Sequence, residues 1–244
     1  MLDLRLDPDP EAERATQLLL GERFMVYETR PDGLAWGQCA TDGYVGYVAA
    51  AALGPDRADG RRVGALWSHR YAAPSVRAPV LGELPFLADV EAAADAGGFA
   101  RLGDGGFAPA AHLAAPEGDA AAQAARFLGA PYLWGGRSAR GLDCSALVQL
   151  AHLAVGAPAP RDSDMQAALL GEELPDDAPL RRGDLIFWRG HVGILLDAET
   201  LLHANAHHMA VTAEPLSEAV ARIAASGGGP PTMRRRPGII RTRA

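Results

Sequence analysis

Residues Pro131-Tyr-Leu-Trp-Gly-Gly-Arg-Ser-Ala-Arg-Gly-Leu-Asp-Cys-Ser-Ala146 form a glycine-rich loop that runs into an apolar segment bearing a single cysteine. Downstream, Leu147, Leu150 and Val155 repeat with a helical period, and Gly156-Ala-Pro158 supplies the stop. The stretch therefore predicts a helix beginning at Cys144 or Ser145, with the thiol in its first turn. A helix amino terminus offers partial positive charge and unpaired N–H groups, both of which favour thiolate over thiol. On this reading Cys144, flanked by Asp143 and Ser145, is a nucleophile of lowered pKa rather than a small buried hydrophobe.

A cysteine nucleophile needs a base within reach, and the base needs a third group to fix its tautomer and orientation. His191 opens the apolar run His191-Val-Gly-Ile-Leu-Leu196 directly after Arg189-Gly190, which predicts a ring aimed from a strand end. His203 falls on the next predicted strand and is the expected orienting partner. His69, His112 and His152 read as structural. His207 and His208 fall in a turn without further ligands at a recognised metal spacing, so neither a metal nor a cofactor is expected. Between the cysteine helix and the strands lie Arg161-Asp162-Ser163 and Gln166. Arg161 and Ser163 either hold a substrate carboxylate through a charge-assisted bond or belong to a capped helix start at Asp162 or Ser163.

Working outward, Asp119 caps an alanine-rich helix expected to reach about Leu128, where Gly129 and Pro131 end it. A third helix is expected from Ser163 to about Leu170. Residues 184–188, 192–196, 201–205 and 209–213 read as consecutive antiparallel strands, and helices followed by strands predict an α+β domain. Upstream, Leu20-Gly21-Glu22 before Phe24-Met25-Val26-Tyr27 recurs as Leu81-Gly82-Glu83 before Phe86-Leu87-Ala88-Asp89. Each copy also closes through an Asp-Gly turn, at Asp42-Gly43 and Asp104-Gly105. Short strands punctuated in this way predict two small SH3-like β-barrels in tandem. The expected divisions are 1–56 for the first barrel with its leading segment, 57–115 for the second, and 116–244 for the catalytic domain.

The 244 residues carry a formal charge of −7 and a pI near 5.5, which argues against a dedicated nucleic-acid binder. Arg234-Arg235-Arg236 reads as a solvated turn rather than a phosphate-binding patch. Apolar runs such as Tyr47 to Leu53 fall far short of the roughly 20 residues of a membrane span, so no membrane contact is expected. The start, Met1-Leu-Asp-Leu-Arg-Leu-Asp-Pro-Asp-Pro10, lacks the basic and apolar regions of a secretion signal and predicts a cytoplasmic protein. Cys39 and Cys144 are the two cysteines, in dissimilar contexts, so no disulfide framework is expected and Cys39 is assigned to a barrel core. Oligomeric state is not set by these features.

Tyr132-Leu-Trp-Gly-Gly, Leu142-Asp-Cys-Ser145, Arg182-Gly-Asp-Leu185, His191-Val-Gly-Ile194 and Leu202-His203 together resemble the NlpC/P60 family of papain-like cysteine peptidases, in the family's order. The resemblance covers about residues 119 to 240. It implies a papain-like catalytic domain with Cys144 as nucleophile, His191 as base and His203 in the family's third, polar position. Two SH3-like domains ahead of it resemble the cell-wall-recycling branch, whose members are γ-D-glutamyl-L-diamino-acid endopeptidases. The implied partner is a murein tri- or tetrapeptide, with diaminopimelate and lysine both open. In that branch a free N-terminal L-alanine is gripped where the first SH3-like domain meets the catalytic domain. The positions carried across are Asp143, Ser145, Glu22 and Tyr44. Glu22 either faces the ammonium group or is a solvated turn residue, and Tyr44 serves recognition or barrel packing. The Tyr132 hydroxyl is an oxyanion donor or a packing aromatic. Competing readings are an amidase or acyltransferase on non-murein amides, and a non-catalytic wall-binding protein.

Overall fold

The computed structural model describes residues 1–238, without the side chains of residues 94–96. The last residues of the expected catalytic span, 239–244, lie outside the described residues. The chain divides into two compact units, Met1–Pro116 with Arg137–Ala139, and Glu117–Gly136 with the chain from Arg140 onward.

The first unit holds two five-stranded antiparallel sheets. The first is built from β1 (Leu2–Arg5), β2 (Arg14–Leu18), β3 (Phe24–Thr29), β4 (Leu34–Cys39) and β5 (Val45–Ala49), in the order β2-β1-β5-β4-β3. In β4, residues alternate between half-buried and buried, the period of two that a half-buried strand requires. Its inward residues Ala35 and Cys39 join Leu4, Leu18 and Val48 in one core. The second sheet contains β6 (Trp67–Tyr71), β7 (Val80–Pro85), β8 (Ala92–Ala96), β9 (Phe99–Leu102) and β10 (Phe107–Pro109), in the order β8-β9-β10-β6-β7. Read from the other edge, that is the same topology as the first. Val63, Leu84, Ala88, Val90, Ala100, Leu102, Ala108 and Leu113 form its core.

The two copies are thus real, but the sequence alignment between them is displaced. Leu20-Gly21-Glu22 lies in the turn after β2, where Gly21 takes φ +84°. Leu81-Gly82-Glu83 lies inside β7, with Glu83 opposite His69. The turn after β7 is Phe86-Leu87, and Leu87 takes the left-handed backbone (φ 63°) that Gly21 takes in the first copy. Glu83 is therefore no counterpart of Glu22, and Phe86 to Ala88 lie outside any strand, whereas Phe24 to Tyr27, with which the sequence aligns Phe86 to Asp89, lie in β3.

The second unit is α+β. Helix α1 (Ala120–Ala125) begins at Asp119, whose carboxylate accepts from the Ala122 N–H at 2.7 Å. It ends three residues before Leu128, and turns carry the chain to Gly129. Helix α2 (Cys144–Ala154) is buried continuously from Cys144 to His152, the polar Ser145, Gln149 and His152 included. Helix α3 (Ser163–Leu169) follows. A six-stranded antiparallel sheet contains β11 (Glu172–Glu173), β12 (Leu185–Trp188), β13 (His191–Leu195), β14 (Thr200–Asn205), β15 (Ala210–Pro215) and β16 (Met233–Arg236), in the order β11-β16-β12-β13-β14-β15. Helix α4 (Leu216–Ala225), which the sequence reading lacks, packs on β14 and β15, and α2 packs on β13 and β14.

Arg234-Arg235-Arg236 is not a solvated turn. It belongs to β16, an interior strand of this sheet, and the Arg236 guanidinium pairs with Asp184 at 2.7 Å. Asp184, of the Arg182-Gly-Asp motif, is 1% exposed, so the pair meets a buried carboxylate that needs a partner. No helix among the described residues is long and apolar enough to cross a membrane.

Candidate active site

The glycine-rich loop is fastened to the start of α2 by Asp143. Its carboxylate caps the helix by accepting from the Ala146 N–H at 2.9 Å, and also accepts from the Gly135 N–H at 2.9 Å and the Ser145 hydroxyl at 3.2 Å. Arg161 closes the set with one guanidinium nitrogen to each carboxylate oxygen, at 2.9 and 2.6 Å, and a further bond of 2.8 Å to the Ser145 hydroxyl. Both side chains are buried. A buried carboxylate is tolerated when its acceptor sites are filled, and here they are.

This arrangement corrects the reading of Arg161 as a receptor for a substrate carboxylate: its guanidinium is already committed to Asp143. Gln166 is engaged similarly, its amide donating to the Ser145 carbonyl at 2.9 Å and the Pro160 carbonyl at 2.8 Å. Ser163 is the first residue of α3, after Asp162 in the cap position.

Cys144 stands at the first position of α2, 6% exposed. Burial pushes its thiol up to about 12, with Asp143 adding to the rise, while N–H donors of Val192 and Ser145 and the charge of Arg161 pull the other way. The lowered pKa expected from the helix terminus does not survive, because desolvation of the anion outweighs the first-turn dipole. The resting sulfur is a neutral thiol.

Val192 is the neighbour of His191 at the start of β13. Nε2 of His191 lies 2.8 Å from Nδ1 of His203 in β14, and Nε2 of His203 lies 2.6 Å from Oε1 of Glu214 in β15. Arg222 of α4 also bonds Oε1 of Glu214. Burial drives His191 down to about 3, with His203 and Arg222 adding to the fall. His203 is also lowered, by burial that Glu214 offsets in part. Burial alone would raise Glu214, but hydrogen bonds from His203 and Arg222 hold it below its ordinary value. At neutral pH the set is a thiol, two neutral imidazoles and a carboxylate. Gly193 permits it: a Cβ there would stand 2.6 Å from Leu201 Cδ1 and 3.2 Å from His203 Cβ.

Tyr132 is bridged in parallel to Leu142, and burial pushes its phenol up to about 12, with the nearby Cys144 sulfur, once ionised, and the Asp143 carboxylate adding to the rise. It therefore keeps its proton at neutral pH. A cleft of roughly 230 Å³ opens beside the rings, lined in part by Trp188, His191, His203, Asn205 and Arg222.

The second unit thus gathers Cys144, Asp143, Ser145, Arg161, Tyr132, His191 and His203. Glu22 and Tyr44 belong to the first unit. Within it both Glu22 oxygens are taken by the buried guanidinium of Arg137, at 2.8 and 3.1 Å, and one also accepts from the Leu19 N–H at 2.8 Å. Glu22 is therefore an ion-paired residue rather than a solvated turn residue. Tyr44 packs half-buried against the first barrel core. Of the other histidines, Nδ1 of His112 meets the Ser68 hydroxyl at 2.7 Å and Nδ1 of His152 meets the Val148 carbonyl at 2.8 Å. His208 bonds the Asn205 side chain. Among the described residues no three His, Cys, Asp or Glu are grouped as a metal site requires.

Sequence reasoning missed Glu214, Arg222 and the Val192 N–H. The available signal for Glu214 was strand register: Thr212 faces His203, so Glu214, two residues along, shares its face of the sheet.

Comparison with known proteins agrees with this architecture. Residues 129–224 match the NlpC/P60 family, and residues 4–53 match the bacterial dipeptidyl-peptidase Sh3 domain. A 92-residue stretch is 34% identical to dipeptidyl-peptidase 6 of Lysinibacillus sphaericus, covering 38% of this chain and 34% of that protein. An 86-residue stretch is 40% identical to the γ-D-glutamyl-L-lysine dipeptidyl-peptidase of Bacillus subtilis, covering 32% of this chain and 28% of that protein. The chain thus spans about a third of the length of these curated relatives. A solved NlpC/P60 family protein from Bacillus cereus shares the fold, with a TM-score of 0.73 and 21% identity over 91% of this chain and 82% of that one.

Proposed function

Because the chain carries an NlpC/P60 domain and a bacterial SH3 domain, we propose that it is a cysteine peptidase whose catalytic domain occupies residues 116–244. Its substrate is a murein peptide with a free N-terminal L-alanine, cut at the γ-D-glutamyl–diamino acid bond during recycling of released wall fragments. The observation that carries the reading is the His191–His203 pair, whose strand also brings the Val192 N–H to a helix-start thiol. The names of the relatives support the substrate class, since a dipeptidyl-peptidase releases two residues from a free amino end.

In the reaction Cys144 attacks the γ-glutamyl carbonyl carbon and its thiol proton passes to His191. The carbon–nitrogen bond breaks as His191 returns that proton to the leaving amine. Water then adds to the thioester, giving its proton to His191, and the thiol leaves protonated. The Cys144 N–H, in the first turn of α2, and the Tyr132 hydroxyl are the donors for the tetrahedral oxyanion, each worth about 3 kcal/mol of barrier. Asp143, Ser145 and Arg161 hold the nucleophile's helix start.

The test is hydrolysis of L-Ala-γ-D-Glu-diaminopimelate, its lysine analogue and the N-acetylated form of each, with Cys144→Ala as control. Cleavage of a free peptide but not its acetylated form is expected. Equal turnover of the acetylated peptide overturns amino-end recognition, and inertness toward every form overturns the peptidase assignment.

A further inference from the structure

The hydrogen bonds beyond His203 have a direction, because an ionised carboxylate can only accept. Glu214, held below its ordinary pKa, therefore requires a proton on Nε2 of His203, 2.6 Å away. Burial keeps His203 neutral, so its Nδ1 carries a lone pair. That lone pair, 2.8 Å from Nε2 of His191, requires a proton there in turn. The basic atom of His191 is then Nδ1. We propose that Glu214 is a positioning residue that sets the tautomers of both rings from one end of this chain, with Arg222 holding its carboxylate ionised.

The groups facing the chain are few. Arg222 comes from α4, His208 from the turn after β14, and Glu214 from β15. A reversed chain would leave an N–H pointed at an N–H or a lone pair at the carboxylate, so the partner at the end decides every link. When His191 takes the thiol proton, its positive charge lies two hydrogen bonds from the Glu214 carboxylate, which stabilises it without receiving the proton. The inference deepens the peptidase reading of the same site and rests on it for the kinetic readout alone.

The alternative is that Glu214 and Arg222 merely pin α4 to the sheet. Nitrogen NMR of the histidine rings in the substrate-free protein separates the two, together with kcat and KM for Glu214→Gln, Glu214→Asp and Arg222→Gln. The expected result is Nε2–H on both His191 and His203 in the parent protein, and a growing Nδ1–H population on His203 in Glu214→Gln. Loss of kcat of about tenfold or more is expected with KM unchanged, part of the roughly 10²–10⁴-fold that acid–base catalysis supplies. Glu214→Asp restores the tautomers at least in part, and Arg222→Gln retains them with a smaller loss of kcat. Nδ1–H on either ring of the parent, or equal losses in Arg222→Gln and Glu214→Gln with tautomers unmoved, overturns the inference. If the tautomers are as stated and no peptide is hydrolysed, the peptidase assignment fails and the tautomer-setting role of Glu214 stands.

Discussion

Cys39 and Cys144 are near twins by acidity and opposites by surroundings. Both are buried and free, and burial pushes each up to about 12. Around Cys39, at the end of β4, stand Leu4, Leu18 and Val48, with the negative charges of Glu22 and Asp42 beyond them. Around Cys144 stand N–H donors from α2 and β13, and the strand supplying those donors also begins with His191. On the proposed function, what separates the two thiols is neither resting acidity nor an N–H donor, since Thr41 supplies one to Cys39, but the imidazole that begins the strand whose amide touches the Cys144 sulfur.

The comparison breaks most easily by exchange of the thiols. Cys144→Ala should abolish hydrolysis and His191→Ala should lower kcat by roughly 10²–10⁴. Cys39→Ala should leave kcat unchanged and lower unfolding free energy by about 1 kcal/mol, the scale of one buried methylene-sized group. Equal kinetic losses at the two cysteines would end the distinction.

Next in size is the Asp143–Arg161 pair at the start of α2. Arg161→Met leaves the Asp143 carboxylate buried without its cation, which should cost about 3–5 kcal/mol in urea unfolding of the catalytic unit. A loss below 1 kcal/mol would show that Asp143 finds compensation elsewhere.

A gentler probe is alkylation. With both thiols protonated at rest, iodoacetamide at neutral pH should modify Cys144 well before Cys39 in the native protein, read by peptide mass spectrometry. Parity between them would mean that the imidazoles do not assist the sulfur.

The smallest effect is on stability against pH. His191, His152 and His203 are all lowered from 6.5 by burial, so the unfolded chain binds protons that the folded chain refuses. Their stabilisation is present above about pH 6.5 and is lost as pH falls from there toward 3. Tm should therefore fall across that window, and His152→Gln should flatten the slope. A Tm that rises on acidification would contradict the burial of these rings.

Much of this site was legible in the sequence because it is local. Cys144, its cap Asp143 and the glycine loop are contiguous, and His191 and His203 sit on apolar runs whose period identifies strands. Glu214, Arg222 and the duties of Arg161 were not, because each depends on a partner brought in by tertiary register. The barrels teach the same lesson. Their shared topology shows in the Asp-Gly turns, yet the repeated Leu-Gly-Glu misaligns them, since Leu87 occupies the left-handed position that Gly21 fills. A leucine there carries about 1–2 kcal/mol of backbone cost that composition does not reveal. Arg234-Arg235-Arg236 misled for a related reason: three adjacent cations look solvated until Asp184 is found buried at the facing strand.

Strand β13 carries the proposed proton acceptor, His191, in its first residue and, in the second, an amide that touches the sulfur. It is flanked by β12 on one side and β14 on the other. Neither service can drift without the other, and both neighbours must separate before either fails. Thermal inactivation should therefore be abrupt, coinciding with melting of the whole catalytic unit rather than preceding it as a loosened loop would.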